Sequence, residues 1–142
     1  MIRTLLTSLA LLAVLTGCAS DSDPEPEAAT TSESSTAGAE VMTADEASAL
    51  VASGATLVDV RNPDEYAAGH VEGAESIPWE SGDFDAAVEP LDRDATYVLY
   101  CASGRRAGEA LARMTELGFT DVHNAGGLED VADVVGPVVT DD

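Results

Sequence analysis

The chain has 142 residues, and its 27 acidic and six basic residues give a formal net charge of −21 at pH 7. From residue 41 onward, 21 Asp and Glu are opposed by five Arg and no Lys, which argues against nucleic acid and anionic membrane surfaces as partners of this region. The length allows one domain of ordinary size once the N-terminal segments described next are set aside.

Residues 1–17 have the pattern of an export signal. Arg3 precedes the apolar stretch LLTSLALLAVL, which is short for a membrane-spanning helix, and Gly17-Cys18 follows it. The tetrapeptide at residues 15–18 resembles a bacterial lipobox. This resemblance implies cleavage before Cys18, a diacylglyceryl anchor on its sulfur, and a location on the cell membrane outside the cytoplasm. An ordinary signal peptide or an uncleaved anchor, with Cys18 incidental, is the alternative.

Residues 19–40 contain Ser, Thr, Ala, Pro and acids but no aromatic and no large aliphatic residue. Such a segment cannot form a core. We therefore interpret residues 18–40 as a lipidated cysteine followed by a flexible acidic tether, and residues 41–142 as the domain. A recognition tail is the alternative function of the tether.

Strand and helix signals alternate through the first half of the domain. Thr43 and Glu46 form a capping-box pattern, and Asn62-Pro63 is a helix-start signal that follows an apolar run. The predicted elements are a short strand at 41–42, a helix at 43–54, a strand at 56–60, a helix at 62–69 and a brief strand at 75–78.

The second half continues the alternation. The predicted elements are a helix at 84–91, a strand at 96–100, a helix through 107–117 ended by Gly118, a strand at 121–124 and a short closing helix after residues 126–127. This order predicts an α/β fold with a central parallel sheet of about five strands flanked by helices on both faces. Ligands of such folds bind at the carboxyl ends of strands, and Cys101 lies at one.

Cys101 has surroundings that favour a thiolate. Residues 101–106 are short enough to form a curled loop, and Gly104 permits backbone angles that turn N–H groups inward. The following helix adds unpaired amide donors and the positive end of its dipole, while Arg105 and Arg106 add formal charge. We therefore predict a nucleophilic cysteine. The alternative is a buried small apolar residue at a strand end.

Several segments together resemble the rhodanese family of sulfurtransferases, over about residues 41–135. The matching segments, in chain order, are Asp59-Val60-Arg61, Glu65-Tyr66, Gly69-His70-Val71, Gly73-Ala74, Ile77-Pro78, the loop from Tyr100 to Ala107, and Gly126-Gly127. Val131 stands where relatives often have tryptophan, so weaker packing of the closing helix is expected. The resemblance implies the rhodanese-like fold.

The family also implies a mechanism without a cofactor. Cys101 would attack a donor such as thiosulfate, become a persulfide, and pass its outer sulfur to cyanide or a thiol, which a partner protein outside the cytoplasm could supply. Five consecutive residues, 102–106, would bind substrate through amides and the two arginines: Ala102, Ser103, Gly104, Arg105 and Arg106. The alternative for either arginine is a structural ion pair with Asp59 or Glu65. Arg61 is expected at the rim of the pocket.

Other polar residues are expected to support the site. Asp59 and Glu65 would order its loops by hydrogen bonding, and His70 would be structural rather than a proton-transfer group. His123 is expected to be a core or edge residue, and Trp79 to fill a gap beside the sheet or to line the entrance. Two separated histidines and one available cysteine predict no metal site.

Two other functions remain as alternatives. Tyrosine phosphatases and arsenate reductases also use a Cys-loop-Arg site, but they place one more residue between cysteine and arginine than the four found here. A non-catalytic rhodanese-like domain that only binds a partner is the second alternative.

Overall fold

A computed structural model describes residues 40–141. The predictions on the signal, Cys18 and most of the tether lie outside these residues. The elements, in chain order, are α1 (Ala44–Ala52), β1 (Thr56–Asp59), α2 (Pro63–Ala68), β2 (His70–Val71), β3 (Glu75–Ser76), a 3₁₀ turn (Trp79–Ser81), α3 (Phe84–Val88), β4 (Thr96–Cys101), α4 (Arg105–Glu116), β5 (Asp121–Gly127), α5 (Leu128–Val131) and β6 (Val138–Val139).

The central sheet is parallel throughout and has the strand order β3-β1-β4-β5. It has four strands, where about five were predicted. The predicted strand at residues 41–42 is reduced to a parallel bridge between Val41 and Asn124, in which the Met42 N–H donates to the Asn124 carbonyl at 2.8 Å. A second, antiparallel sheet pairs β2 with β6 and was not predicted.

Each face of the sheet has its own apolar core, as expected for a parallel sheet covered by helices. On one face, Val58 and Leu99 pack with Met114 of α4. On the other, Leu57 and Val98 pack with Ala47 of α1. Val131 is fully buried in this second core, so the residue in the usual tryptophan position has an apolar role here.

The helix starts follow from local sequence. Thr43 and Glu46 exchange the hydrogen bonds of a capping box, as predicted. Gly104 is the N-cap of α4 with φ +84°, so α4 includes Arg105 and Arg106. The expectation that both arginines lie in the loop is therefore wrong: the loop comprises Ala102, Ser103 and Gly104, and the two arginines form the first turn of the helix.

Within residues 40–141, every helix is too short or too polar to span a bilayer.

Candidate active site

Cys101 is the last residue of β4, in the middle of the parallel sheet. The register shifts between Leu99 and Cys101, so that Cys101 pairs with Gly127 of β5. The residue is fully buried, whereas Ala102 and Ser103 immediately after it are exposed. The cysteine therefore lies beneath an exposed turn at the carboxyl edge of the sheet, where a parallel sheet places its ligands.

A main-chain amide contacts the sulfur directly. The Gly104 N–H donates to Cys101 Sγ at 3.1 Å, and Gly104 reaches this position because its positive φ is open to glycine without a steric cost. The amino end of α4 follows at once, so the sulfur also faces the positive end of a helix of 12 residues. Both effects stabilise an anionic sulfur.

Strand β5 holds the loop from the other side. A Cβ on Gly127 would lie 2.6 Å from the Ala102 carbonyl oxygen, and a Cβ on Gly104 would lie 3.2 Å from Gly126 Cα. Both distances are shorter than ordinary van der Waals contact. The absence of side chains at Gly104 and Gly127 therefore allows the backbone of β5 to approach the loop closely.

Asn124 is a site residue that the sequence analysis did not identify. Its side chain is buried, donates through Nδ2 to the Gly104 carbonyl at 3.0 Å and accepts through Oδ1 from the Gly126 N–H at 2.9 Å. An asparagine within a predicted strand, two residues before a Gly-Gly pair, is the signal that could have identified it.

Arg106 is held by two carboxylates. Its two terminal nitrogens donate to the two oxygens of Glu65 at 2.7 and 2.9 Å, and Nη1 also lies 3.3 Å from Glu80. The hydrogen bonds to Glu65 raise the pKa of Arg106. The same hydrogen bonds lower the pKa of Glu65 to about 2. Arg106 lies in the first turn of α4, two residues after the Gly104 amide that contacts Cys101 Sγ. Glu65 thus holds the first turn of α4 through Arg106, and its predicted role in ordering the site stays a prediction.

Arg105 points toward solvent. Its side chain is 65% exposed and forms an ion pair with Glu109 at 2.8 Å, one helical turn along α4. Arg105 is therefore the more accessible of the two cations, since the Arg106 side chain is 11% exposed. Donor binding by Arg105 stays a prediction.

Arg61 does not reach a pocket rim, contrary to the sequence-based expectation. It is 5% exposed, and its guanidinium donates to the buried Asp59 carboxylate and to the Gly69 carbonyl at 2.7 Å. A fully buried carboxylate requires such a partner. Arg61 therefore supports the fold below the site by neutralising Asp59.

The two histidines each contact a nearby residue of the same segment. His70 is buried, with Nδ1 3.0 Å from the Tyr66 carbonyl and its ring stacked on Tyr66 at 3.7 Å, which agrees with a structural role. His123 pairs with Asp121 at 2.7 Å on the partly exposed edge strand β5. Both contacts are local hydrogen bonds.

Trp79 packs edge-on against Phe84 and is partly buried against the core, which is the gap-filling position. Among residues 40–141, no three His, Cys, Asp or Glu side chains are grouped as a metal site would need.

Known proteins are similar to this chain in sequence and in fold. The model of the rhodanese-like domain family matches residues 43–133. Thiosulfate sulfurtransferase PspE of Escherichia coli (strain K12) is 41% identical over 75 residues, covering 53% of this chain and 72% of that protein. Thiosulfate sulfurtransferase GlpE of Pseudomonas entomophila (strain L48) is 38% identical over 87 residues, covering 60% of this chain and 77% of that protein.

Solved structures of rhodanese-like proteins match the fold of this chain. The structure of a rhodanese with anions from E. coli matches with a TM-score of 0.52 and 38% identity, covering 61% of this chain and 98% of that one. The α/β fold and the sulfurtransferase class expected from the sequence are confirmed by these relatives. The chain belongs to the rhodanese-like domain family.

Proposed function

We propose that this protein is an exported, membrane-anchored sulfurtransferase that moves a sulfane sulfur from a thiosulfate-like donor to cyanide or a thiol through a Cys101 persulfide. The carrying observation is the hydrogen bond from the Gly104 N–H to Cys101 Sγ at 3.1 Å, at the amino end of α4. The named activity of PspE and GlpE supports the choice of donor.

The first half-reaction charges the cysteine. The Cys101 thiolate attacks the outer sulfur of thiosulfate, a new S–S bond forms, and the old S–S bond breaks with its electron pair leaving on sulfite. The product is the Cys101 persulfide anion, so total charge is conserved. The Gly104 amide and the helix dipole stabilise the negative sulfur before and after transfer.

The second half-reaction removes the outer sulfur from the Cys101 persulfide. Cyanide or a thiolate attacks the outer persulfide sulfur, and the S–S electron pair returns to Cys101 Sγ. Thiocyanate or an acceptor persulfide leaves, and no electron is gained or lost by the protein overall. The chemistry therefore needs the protein's own sulfur and no cofactor.

The membrane anchor rests on Cys18 and the lipobox-like residues before it. A C18S variant of the full chain should lose incorporation of labelled fatty acid and should keep residues 1–17 uncleaved. Retention of label in C18S would contradict the anchor without affecting the proposed chemistry.

Intact mass tests the chemistry. In a full-length C18S chain, Cys101 is the only thiol, because the sequence has two cysteines. We expect addition of one sulfur atom after incubation with thiosulfate and removal of excess reagent. Cyanide should then remove the sulfur and release thiocyanate. A double variant, C18S with C101S, is the matched control and should gain nothing.

The two alternative functions predict different results, one in the sulfur-loading assay and one in a phosphatase assay. A binding-only domain would be folded with a reduced thiol but would gain no sulfur from thiosulfate or from other sulfane donors. A phosphatase-like site would turn over an aryl phosphate. The single amide donor on the sulfur and the four residues between Cys101 and Arg106 favour a sulfur over a tetrahedral oxyanion.

A further inference from the structure

The cations beside Cys101 are already compensated by carboxylates of the same chain. Arg105 pairs with Glu109, and Arg106 pairs with Glu65 and Glu80. Two positive charges therefore stand against three negative ones, before the thiolate is counted. The local charge is opposite to the one that an anionic donor or acceptor would prefer.

Glu80 is not needed to complete the ion pair of Arg106. Glu65 alone occupies both terminal nitrogens of Arg106 in a bidentate pair, which is the strong geometry for this interaction. Glu80 makes only a longer contact of 3.3 Å to the same Nη1, and its side chain is 47% exposed. It therefore adds a negative charge beside the loop without completing the ion pair.

A second contact fixes this charge in place. Glu80 lies in the 3₁₀ turn after β3, and its Oε2 accepts a hydrogen bond from Asn62 Nδ2 at 3.2 Å. Asn62 is the N-cap residue of α2, whose Glu65 holds Arg106. Two chain segments thus bring Glu80 to the guanidinium of Arg106, which lies in the first turn of α4, two residues after the amide that contacts Cys101 Sγ.

We propose that Glu80 is a specificity-determining residue that biases sulfur transfer toward cationic and uncharged thiols and against anionic ones. The proposal rests on the proposed sulfurtransferase function and names the charge class of its acceptor. A unit charge at the edge of a solvent-exposed site changes the rate about two- to five-fold per unit charge on the acceptor, and added salt weakens the effect.

The reaction that senses this charge is discharge of the persulfide. An acceptor thiolate attacks the outer sulfur, the S–S bond breaks with its electron pair on Cys101 Sγ, and the acceptor leaves as its persulfide anion. Any charged group elsewhere on the acceptor must approach the loop with the thiolate. Glu80 acts on that group by Coulomb attraction or repulsion.

The test compares three acceptors of similar size and different charge: cysteamine, 2-mercaptoethanol and 2-mercaptoethanesulfonate. The full-length C18S protein is loaded with thiosulfate, desalted, and its persulfide decay is followed by mass after mixing. The ratio of the E80Q rate to the parent rate is taken for each acceptor, because this ratio cancels the intrinsic nucleophilicity of each thiol.

The thiolate charge is common to the three acceptors, so the ratio for 2-mercaptoethanol is the reference. Relative to it, we expect the E80Q ratio to be about two- to five-fold lower for cysteamine and about two- to five-fold higher for the sulfonate. Both charged effects should shrink in concentrated salt. The matched control is E89Q, which removes one negative charge from the exposed carboxyl end of α3. There Glu89 borders a shallow cavity with Arg93 and Leu117, beyond the far end of α4 from Cys101. It should leave all three ratios near one.

Equal E80Q ratios for the three acceptors overturn the proposal. Failure of the proposed function would appear earlier, as absence of sulfur loading. The charge series is then measured on the free thiol with cationic, neutral and anionic methanethiosulfonate reagents. The same order of ratios supports the role of Glu80 in selecting by charge, and equal ratios overturn it.

Discussion

Asn124 joins Gly104 to the strand beside it: its Nδ2 donates to the Gly104 carbonyl at 3.0 Å, while its Oδ1 accepts from the Gly126 N–H at 2.9 Å. Gly104 is also the residue whose amide contacts Cys101 Sγ. The buried side chain of Asn124 therefore connects Gly104, whose amide contacts the sulfur, to the backbone of β5. One hydrogen bond joins Asn124 to Gly104, and a second joins Gly104 to Cys101 Sγ.

Replacing Asn124 with alanine should loosen the nucleophile loop. The Gly126 N–H loses its partner, and the Gly104 carbonyl keeps only its bond from the Gly108 N–H. One buried donor left unsatisfied costs about 1–3 kcal/mol of the free energy of unfolding. Urea unfolding measures this cost, and the rate of sulfur loading should fall with it.

The aspartate variant separates the two bonds. N124D keeps an acceptor for Gly126 but loses the donor to Gly104 and buries a carboxylate, so it should load sulfur more slowly than N124A at equal folded fraction. If both variants load at the parent rate, Asn124 does not position the loop.

The glycine pair supports a second prediction. Gly127 has φ −92°, a conformation open to any residue, yet a Cβ there would lie 2.6 Å from the Ala102 carbonyl oxygen. G127A should therefore displace the loop and lower the loading rate by an order of magnitude or more. The contact is with backbone, which cannot move away as a flexible side chain could.

G73A is the matched control for this glycine. Gly73 has φ +81° with open space around its Cβ position, so alanine should cost about 1 kcal/mol of stability and leave sulfur loading intact. Loss of activity in G73A, or none in G127A, would contradict the argument from close approach.

The outcome for Arg61 shows what sequence alone could and could not establish. A carboxylate at the end of an apolar strand needs hydrogen bonds, which is the basis for predicting that Asp59 makes them; it accepts them from Arg61. The chain's return through α2 decides the rest: it brings the Gly69 carbonyl over the Arg61 guanidinium and closes the pair off from solvent. The distance between the Arg61 guanidinium and the Gly69 carbonyl cannot be inferred from their separation in the sequence.

The same limit applies to the second sheet and to Asn124. Long apolar runs at residues 56–60 and 96–100 predicted the parallel sheet, since period and length are local properties. Strands of two residues, such as β2 and β6, are too short to show a period. One partner of Asn124, the Gly104 carbonyl, lies 20 residues away on a different segment, so only the folded chain reveals this hydrogen bond.

Alanine variants of Arg61 and Arg105 should distinguish a buried, structural arginine from an exposed one by their stability. R61A leaves the buried Asp59 carboxylate without its cation and should destabilise the domain by about 3–5 kcal/mol. R105A removes an exposed helical pair and should change stability by less than about 0.5 kcal/mol.

R61K is the variant to use if R61A does not fold. Lysine supplies the charge but not the bidentate geometry, so it should recover part of the lost stability. Urea midpoints give the order R105A, R61K, R61A from most to least stable. An R61A protein as stable as R105A would contradict the buried ion pair.

The Arg106–Glu65 pair makes a prediction about acid. The hydrogen bonds from Arg106 lower the pKa of Glu65 from 4.5 to about 2 in the folded protein. The folded state therefore binds this proton less readily than the unfolded chain, and the stabilisation is fully present above pH 4.5. It is lost as the pH falls from 4.5 toward 2.

Urea unfolding of the parent and of E65Q across pH 7 to 2.5 measures this contribution. The difference between their free energies of unfolding should be constant down to about pH 5 and then shrink. E80Q, which removes the longer and more exposed contact, is the control and should show a smaller difference throughout. A parent–E65Q difference that persists unchanged at pH 2.5 would mean that Glu65 does not carry the acid dependence of this pair.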